Sequence, residues 1–321
     1  MSLTRRAWLC GTTAALVSPT LAQTANWPTR PLKIVIPTAA GGSPDTVART
    51  LGQKLTERLG QPIMVESITQ GVGIVANQTV LRAAPDGHTL AMLTGGFTTQ
   101  AAVMKLPYDP VRDFAFVSTV VSYPMFLLVA PNSPITSFKQ LIERAKAEPG
   151  KINFGIIGGG SVYHLLEKWI ENAAGIEMLT VSYRATVPVF TDVIGGRLDA
   201  MIDTATLAIP RIRNGQLRAL AVSSPERYPL MPEVPTMAET LPGIVLMSWL
   251  GLAAPAQTPR PIVDKLNAEI RRVLELPDIK QWLAETGVLA APSSPEELQR
   301  RVEREIALYS GIADKNGIKA E

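Results

Sequence analysis

The stretch from residue 32 to residue 59 constrains the fold most, because a strand, a glycine loop and an amphipathic helix follow one another in it. Residues 34–36 form a β-branched apolar run, which is typical of a buried parallel strand. The glycine pair at 41–42 allows backbone angles that other residues avoid. Ser43 is predicted to be the N-cap of the helix. Apolar residues recur at fourfold spacing on one helix face, at Val47, Leu51, Leu55 and Leu59.

This arrangement predicts an anion site. The first turn of a helix leaves backbone N–H groups without an acceptor and carries about half a positive charge. Glycines let a ligand approach those groups, so a carboxylate or a phosphate is held without a cationic side chain. The alternative is that the glycines only make the turn. The stretch is neither a P-loop nor a dinucleotide fingerprint, since the Gly-Lys-Ser/Thr ending and the spaced third glycine are both missing.

Strand and helix patterns alternate along the chain, and the alternation starts again about halfway, which predicts two α/β domains with mostly parallel sheets. Predicted strands are 34–36, 62–66, 89–93, 153–157, 177–181, 200–203 and 219–223, and predicted helices are 44–59, 74–84, 138–147, 162–174, 188–195, 208–214, 261–274, 278–285 and 294–312. Apolar stretches at 116–121 and 124–130 are predicted to cross into the second domain, and 247–254 to return. A second glycine loop at 158–161 opens a helix in the second half. A ligand clamped between the domains would use both loops.

The first 22 residues are typical of an export signal, with basic residues at Arg5 and Arg6, an apolar middle and a small-residue cleavage site before Gln23. The twin-arginine route and the general route both stay open. Cys10 is the single cysteine, so the exported chain would have no disulfide, thiol nucleophile or cysteine metal site. Without the leader the formal charge is about +1, and nucleic acid is not expected as a partner.

Short motifs spread over residues 27–321 carry a resemblance to a known family. They are Trp-Pro-Thr-Arg-Pro-Leu-Lys at 27–33, Ala-Ala-Pro-Asp-Gly at 83–87, Leu-Pro-Tyr-Asp-Pro at 106–110, Gly-Lys-Ile-Asn-Phe at 150–154, Leu-Arg-Ala-Leu-Ala-Val at 217–222 and Pro-Glu-Val-Pro-Thr at 232–236. In this order and spacing the chain resembles the Bug-type periplasmic solute receptors of tripartite tricarboxylate transporters.

The resemblance implies a two-domain clamshell of the periplasmic-binding-protein type, with two crossover segments. Domain 1 would comprise residues 27–122 and 249–321, and domain 2 residues 123–248. The receptor would close on a small organic carboxylate in the periplasm and deliver it to the membrane subunits of a transporter. We expect a monomer that is not an enzyme and needs no metal or cofactor.

Candidate ligand-binding residues lie in the glycine loops and at strand ends. They are Thr38, Ala39, Gly41, Gly42, Asp45, Gly73, Gly95, Gly96, Gly159, Gly160, Ser161, His164, Tyr183, Arg184 and Asp203. Several have a structural alternative. Asp45 and His164 are better suited to bracing their loops than to touching the ligand, whereas Arg184 is equally suited to a solvated rim and Tyr183 to the core. His88 follows a turn and is predicted to face solvent.

Departures from the family pattern cluster at these loops. The first loop carries Thr38-Ala39-Ala40, and the loop at 67–74 is less polar because of Val72 and Ile74. A less polar or bulkier acid, such as an aromatic one, therefore becomes a hypothesis for the ligand. Two other functions remain open: a receptor that signals to a membrane sensor, and an exported hydrolase that uses Ser161 with His164.

Overall fold

The structure is a computed structural model, and it describes residues 26–316. The predicted export signal and Cys10 lie outside the described residues. The described strands are β1 (Leu32–Ile36), β2 (Ile63–Ser67), β3 (Thr89–Thr94), β4 (Phe114–Val129), β5 (Asn153–Ile157), β6 (Leu179–Tyr183), β7 (Ala200–Thr204), β8 (Arg218–Val222), β9 (Met247–Pro255) and β10 (Leu289–Ala290).

The described helices flank these strands. They are α1 (Ser43–Leu59), α2 (Ile74–Leu81), α3 (Gly95–Val103), α4 (Phe138–Ala147), α5 (Val162–Ala174), α6 (Thr186–Ile194), α7 (Ala205–Arg213), α8 (Met237–Thr240), α9 (Arg260–Leu274), α10 (Pro277–Thr286) and α11 (Pro295–Asn316). A short 3-10 turn, Gln70–Gly73, precedes α2. No helix among residues 26–316 is both long enough and apolar enough to cross a membrane.

The strands form two sheets that share β4. In the first sheet β2, β1 and β3 are parallel, and β9 and the first part of β4 join them antiparallel. In the second sheet β6, β5 and β7 are parallel, and β7 and β8 pair antiparallel with the last part of β4. Each sheet has helices packed on it, which confirms the predicted two-domain α/β clamshell architecture.

A single strand, β4, makes the forward crossing. Residues 114–124 pair with β9 in the first sheet, and residues 125–129 pair with β7 and β8 in the second. The sequence predicted two separate extended stretches here, and the structure joins them because Ser122 and Tyr123 continue the ladder with β9. The return crossing begins at Met247, opposite Pro124. The domain boundaries at 122/123 and 248/249 stay a prediction.

The last helix, α11, connects the two halves of the molecule. Its early residues Leu298 and Val302 belong to a core cluster of the first half, whereas Tyr309 and Ile312 belong to the core of the second. Between them, the Glu305 carboxylate accepts hydrogen bonds from the Trp249 indole (2.7 Å) and the Thr98 hydroxyl (2.9 Å). Trp249 is fully buried.

Three local predictions were wrong. Ser43 is the first residue of α1 rather than its N-cap, which is Gly42. The glycines at 95 and 96 are not a loop, because they begin α3, whose N-cap is Thr94. His88 is buried at 5% exposure and packs edge-on against Trp27 instead of facing solvent.

Candidate functional site

Loops of the first sheet approach strand ends of the second sheet across the boundary between the sheets. The Ser43 hydroxyl at the start of α1 lies 2.9 Å from the Thr204 hydroxyl at the end of β7, and the pair is buried. A second approach joins Val72 to Gly158, where a Cβ added to the glycine would lie 3.7 Å from a Val72 methyl carbon. Because these residues come from the carboxyl ends of parallel strands in both sheets, the cleft lies where α/β folds bind ligands.

The first loop is held by Asp45. Gly41 has a positive φ of 83°, and its N–H donates to Asp45 Oδ2 at 2.9 Å. The other carboxylate oxygen accepts from Arg49 Nε at 2.8 Å. Asp45 is 6% exposed, so its carboxylate is committed to the loop, as the bracing interpretation predicted. Its contribution to the site is to fix the glycine backbone next to the helix N-terminus.

The second loop has the same design with different side chains. Gly158 and Gly160 have positive φ angles of 73° and 70°, and the Gly160 N–H donates to His164 Nδ1 at 3.2 Å. The donor and acceptor are again four residues apart, as in the first loop. Ser161 is the N-cap of α5, where its hydroxyl accepts from the His164 N–H at 3.4 Å. His164 therefore braces the loop.

Helix starts concentrate at this edge of both sheets. The helices α1, α3, α5 and α7 each begin within a few residues of the carboxyl end of a strand. The first N–H groups of each helix have no acceptor within the helix, and the summed peptide dipoles favour negative charge there. Ala39 and Gly159 are exposed, and a Cβ added to Gly159 would meet no atom within 4 Å. This edge thus offers backbone donors for an anion, with open space beside Gly159.

Three other predicted glycines have roles in packing or capping. A Cβ on Gly73 would lie 2.8 Å from the Pro37 side chain, and Gly73 has a φ of 101°. A Cβ on Gly95 would lie 2.8 Å from the Ser248 hydroxyl oxygen. The Gly96 N–H donates to the Thr94 hydroxyl at 3.2 Å. These contacts explain why glycine stands at 73 and 95 without any ligand.

Tyr183 and Arg184 lie at the end of β6, on the outer side of the second sheet. The Tyr183 hydroxyl donates to Asp192 at 2.5 Å, and Asp192 also accepts from Arg197 Nε at 2.7 Å. Asp192 lies on α6 and Arg197 in the turn after it, so the Tyr183 hydroxyl already has a partner within the second domain. The Arg184 side chain is exposed, which fits the rim interpretation, and its predicted part in binding remains a prediction.

Asp203 is the most unusual polar group of the site, because it is completely buried at the end of β7. Its Oδ1 accepts from the Thr204 N–H at 2.6 Å and from the Thr204 hydroxyl at 3.3 Å, and the Tyr163 hydroxyl lies 3.5 Å from it. Burial raises the pKa of Asp203 to about 7, against the lowering effect of the Thr204 hydrogen bonds. Burial and the Asp203 charge raise the Tyr163 pKa well above its ordinary value.

Some of the buried polar atoms that have no hydrogen-bond partner among the described residues lie at this edge. They are Thr38 Oγ1, Asp203 Oδ2 and Thr206 Oγ1. Desolvated groups of this kind cost free energy unless a ligand or an ordered water satisfies them. Thr206 was missed by the sequence reasoning. Its position three residues after a predicted strand end was the only signal, and many threonines share it.

A family model described as the tripartite tricarboxylate transporter family receptor matches residues 47–318. The chain belongs to this receptor family. Protein BugT of Bordetella pertussis is 30% identical over 99% of both chains. Among solved structures, Rpa4515 of R. palustris with adipate has a TM-score of 0.87 at 32% identity, over 91% of this chain and 99% of that one. MatC of Rhodopseudomonas palustris with bound malate has a TM-score of 0.83 at 32% identity, over 89% of this chain and 99% of that one.

Membership of this receptor family replaces the hydrolase interpretation. Family members and structural neighbours are solute-binding receptors and not enzymes. The structure agrees at the residues concerned, since the Ser161 hydroxyl caps a helix and His164 Nδ1 accepts from a backbone N–H. In the part of the chain that the structure describes, no cluster of three or more His, Cys, Asp or Glu residues is arranged to hold a metal ion.

Proposed function

We propose that this receptor binds a small organic carboxylate between its two domains and delivers it to the membrane subunits of a tripartite tricarboxylate-type transporter. The observation that carries the proposal is the buried 2.9 Å contact between the hydroxyls of Ser43 and Thr204. It brings the helix N-terminus of one domain to a strand end of the other, so that a ligand there touches both. Unpartnered polar atoms at Thr38 and Thr206 lie at the same edge.

A carboxylate is the ligand class that this chemistry favours. Helix N-termini and glycine N–H groups hold one charged end of a molecule without a cationic side chain. The solved relatives with adipate and malate carry dicarboxylates. Here Val72 is 46% exposed and lies across the cleft from Gly158. This apolar contact supports a ligand with an apolar body, such as adipate or an aromatic acid, over a hydroxylated one such as malate.

The proposal places the receptor in the periplasm as a monomer. Its candidate contacts are the loop residues of both domains, with Ala39, Gly42 and Gly159 near the ligand through their backbone N–H groups. Asp45 and His164 act through the loops that they brace. Closure would shift the population of receptors toward the form in which Ser43 meets Thr204, because only that form contacts the ligand from both sides.

A thermal-shift screen of the purified receptor tests the proposal. The panel contains adipate, malate, citrate, glutamate, benzoate and terephthalate, with the matching amides as uncharged controls. An acid at 100 times its dissociation constant adds about 2.7 kcal/mol of stability, a clear shift. We expect acids to stabilise the receptor and amides to have no effect. A panel without any stabilising acid would contradict the proposal.

Delivery to a transporter needs a cellular test. Deleting the gene should abolish uptake of the acid identified in the screen, and the unaltered gene should restore it. Normal uptake without the receptor, together with loss of a transcriptional response to the same acid, would favour a signalling receptor instead.

A further inference from the structure

The hydrogen bonds of Asp203 are divided unequally between its two carboxyl oxygens. Oδ1 faces the Thr204 N–H at 2.6 Å, the Thr204 hydroxyl at 3.3 Å and the Tyr163 hydroxyl at 3.5 Å. Oδ2 is buried and has no partner among the described residues. An ionised carboxylate presents two equivalent acceptor oxygens, whereas a protonated one has an acceptor oxygen and a hydroxyl donor. The observed division matches the protonated form, with Oδ1 as the carbonyl oxygen.

The surroundings of Asp203 hold few charges. Tyr163 of α5 and Tyr123 of β4 interact with it, and burial raises the pKa of both phenols, so that neither carries a charge at neutral pH. Burial raises the Asp203 pKa, and Arg211 of α7 acts against it with a smaller lowering effect. Arg211 is itself stacked on Phe190, 3.9 Å from the ring centre, and donates to the Leu207 carbonyl. Arg301 of α11 lowers the Tyr123 pKa against the larger effect of burial.

Asp203 is also placed where a ligand would meet it. It precedes Thr204, whose hydroxyl makes the contact with Ser43 across the cleft. Asp203 accepts from the Thr204 hydroxyl at 3.3 Å, so its carboxyl group adjoins the contact between the two domains. An ionised carboxylate at this position would repel an anionic ligand, since two like charges at close range cannot share a buried site without raising a pKa.

We propose that Asp203 binds the ligand as a neutral carboxylic acid, donating its Oδ2 proton to an oxygen of the bound carboxylate. This inference rests on the proposed function. If Asp203 is ionised before binding, it takes one proton from solvent when the ligand binds. No bond of the ligand is broken. The ligand atom at Asp203 is then a hydrogen-bond acceptor, which excludes an ammonium group at this end of the ligand.

Proton uptake gives the proposal a pH dependence of known sign. The receptor binds best where Asp203 is already protonated, below its pKa of about 7. Above that value the affinity falls by up to about tenfold for each pH unit, because each binding event must first protonate the carboxyl group. A receptor in which Asp203 is ionised when liganded would show no such fall.

Calorimetric titration with adipate from about pH 6.5 to about pH 8.5 tests this, since adipate stays ionised over the whole range. We expect at least a tenfold weaker affinity at the upper end and uptake of a proton, read from buffers of different ionisation enthalpy. Asp203→Asn keeps an acceptor oxygen and an N–H donor without a titrating proton. It should bind adipate with the same affinity at both ends and without proton uptake. An equal pH dependence in the receptor and in Asp203→Asn would overturn the proposal.

Glu167 supplies a matched control. It is also fully buried in the second domain with an unpartnered oxygen, and burial raises its pKa to about 7, but its partner is Thr180 on β6. Glu167→Gln should therefore leave the pH dependence of adipate binding unchanged. Loss of that dependence in Glu167→Gln would contradict the assignment to Asp203.

An infrared measurement decides the matter if adipate does not bind. In the unliganded receptor, the carbonyl band of a protonated carboxylic acid should appear at about pH 6.5 and lose part of its intensity in Asp203→Asn. Absence of any band sensitive to that substitution would overturn the neutral acid. Failure of the whole acid panel to bind would instead contradict the proposed function, so the two failures are distinguishable.

Discussion

Ser43 and Thr204 are 161 positions apart in the sequence, and their hydroxyl oxygens lie 2.9 Å apart in a buried contact between the two domains. The contact places the start of α1 against the end of β7. Ser43 is the first helical residue after the Gly42 cap, so its hydroxyl is free to engage Thr204. The geometry of the candidate site therefore depends on how the two domains meet.

Removing the hydroxyl of Thr204 should weaken closure. Thr204→Val preserves the shape of the side chain but leaves Ser43 without its partner, and a buried hydrogen bond contributes about 1 kcal/mol. We expect adipate affinity to fall by roughly fivefold in calorimetric titrations. Thr204→Ser retains a hydroxyl and should bind within about twofold of the unmodified receptor. Equal affinity in all three proteins would show that the contact does not contribute to binding.

The hydrogen bond from Gly41 to Asp45 should stabilise the first loop more than the ion pair between Asp45 and Arg49. Asp45→Ala removes the acceptor of the Gly41 N–H and a carboxylate at a helix start, and we expect a loss of about 1–3 kcal/mol in unfolding free energy, measured with urea. Arg49→Ala is the control. The Arg49 side chain is 56% exposed, so its loss should cost less than about 1 kcal/mol. A larger loss for Arg49→Ala than for Asp45→Ala would refute this account of the loop.

Two glycine substitutions separate folding from binding. Gly73→Ala would place a Cβ 2.8 Å from the Pro37 side chain at a φ of 101°. The unfolding free energy, measured by thermal unfolding, should therefore fall by at least about 1 kcal/mol. Gly159→Ala meets no atom within 4 Å, and it should unfold like the unmodified receptor. We nevertheless expect weaker acid binding in Gly159→Ala, because the added methyl group occupies the approach to the loop. Unchanged affinity would remove Gly159 from the site.

Glu167 makes stability depend on pH. Its pKa rises from 4.5 to about 7 on folding because the carboxyl group is buried, so the unfolded chain ionises first as pH increases. Stability is therefore greatest below about pH 4.5 for this group and declines until about pH 7. At pH 8, Glu167→Gln should be more stable than the unmodified receptor by about 1–3 kcal/mol in urea unfolding. At pH 5 the two proteins should differ little in unfolding free energy. A larger gain in stability from Glu167→Gln at pH 5 than at pH 8 would contradict a buried carboxyl group.

Much of the fold follows from local sequence patterns. The predicted bounds of α4, β5 and α5 coincide with those observed, because periodicity, Ser161 as a cap and a glycine after residue 174 all indicate the same helix. The run of three glycines at 158–160 likewise predicts a loop directly from the local sequence. These features depend on interactions within a few residues, which a sequence displays directly.

The errors share a different cause, which is contact between distant residues. Gly95 stands at the start of a helix where a Cβ would lie 2.8 Å from the hydroxyl oxygen of Ser248, more than a hundred residues later in the chain. His88 is buried because Trp27 packs against it. Likewise, the full burial of Asp203 depends on neighbours from β4 and α5, so its sequence position indicated a strand end but not its chemistry.

Hydrogen–deuterium exchange, with and without the acid that gives the largest thermal shift, tests the central claim most directly. If the ligand lies between the domains, amide exchange should slow in both glycine loops, at 38–45 and at 158–164, and along the crossing near Tyr123. Regions remote from the cleft, such as α9, should be unaffected. Slower exchange in only one loop, or only in a surface groove such as the one lined by Gln78, Tyr108 and Gln257, would contradict binding between the domains.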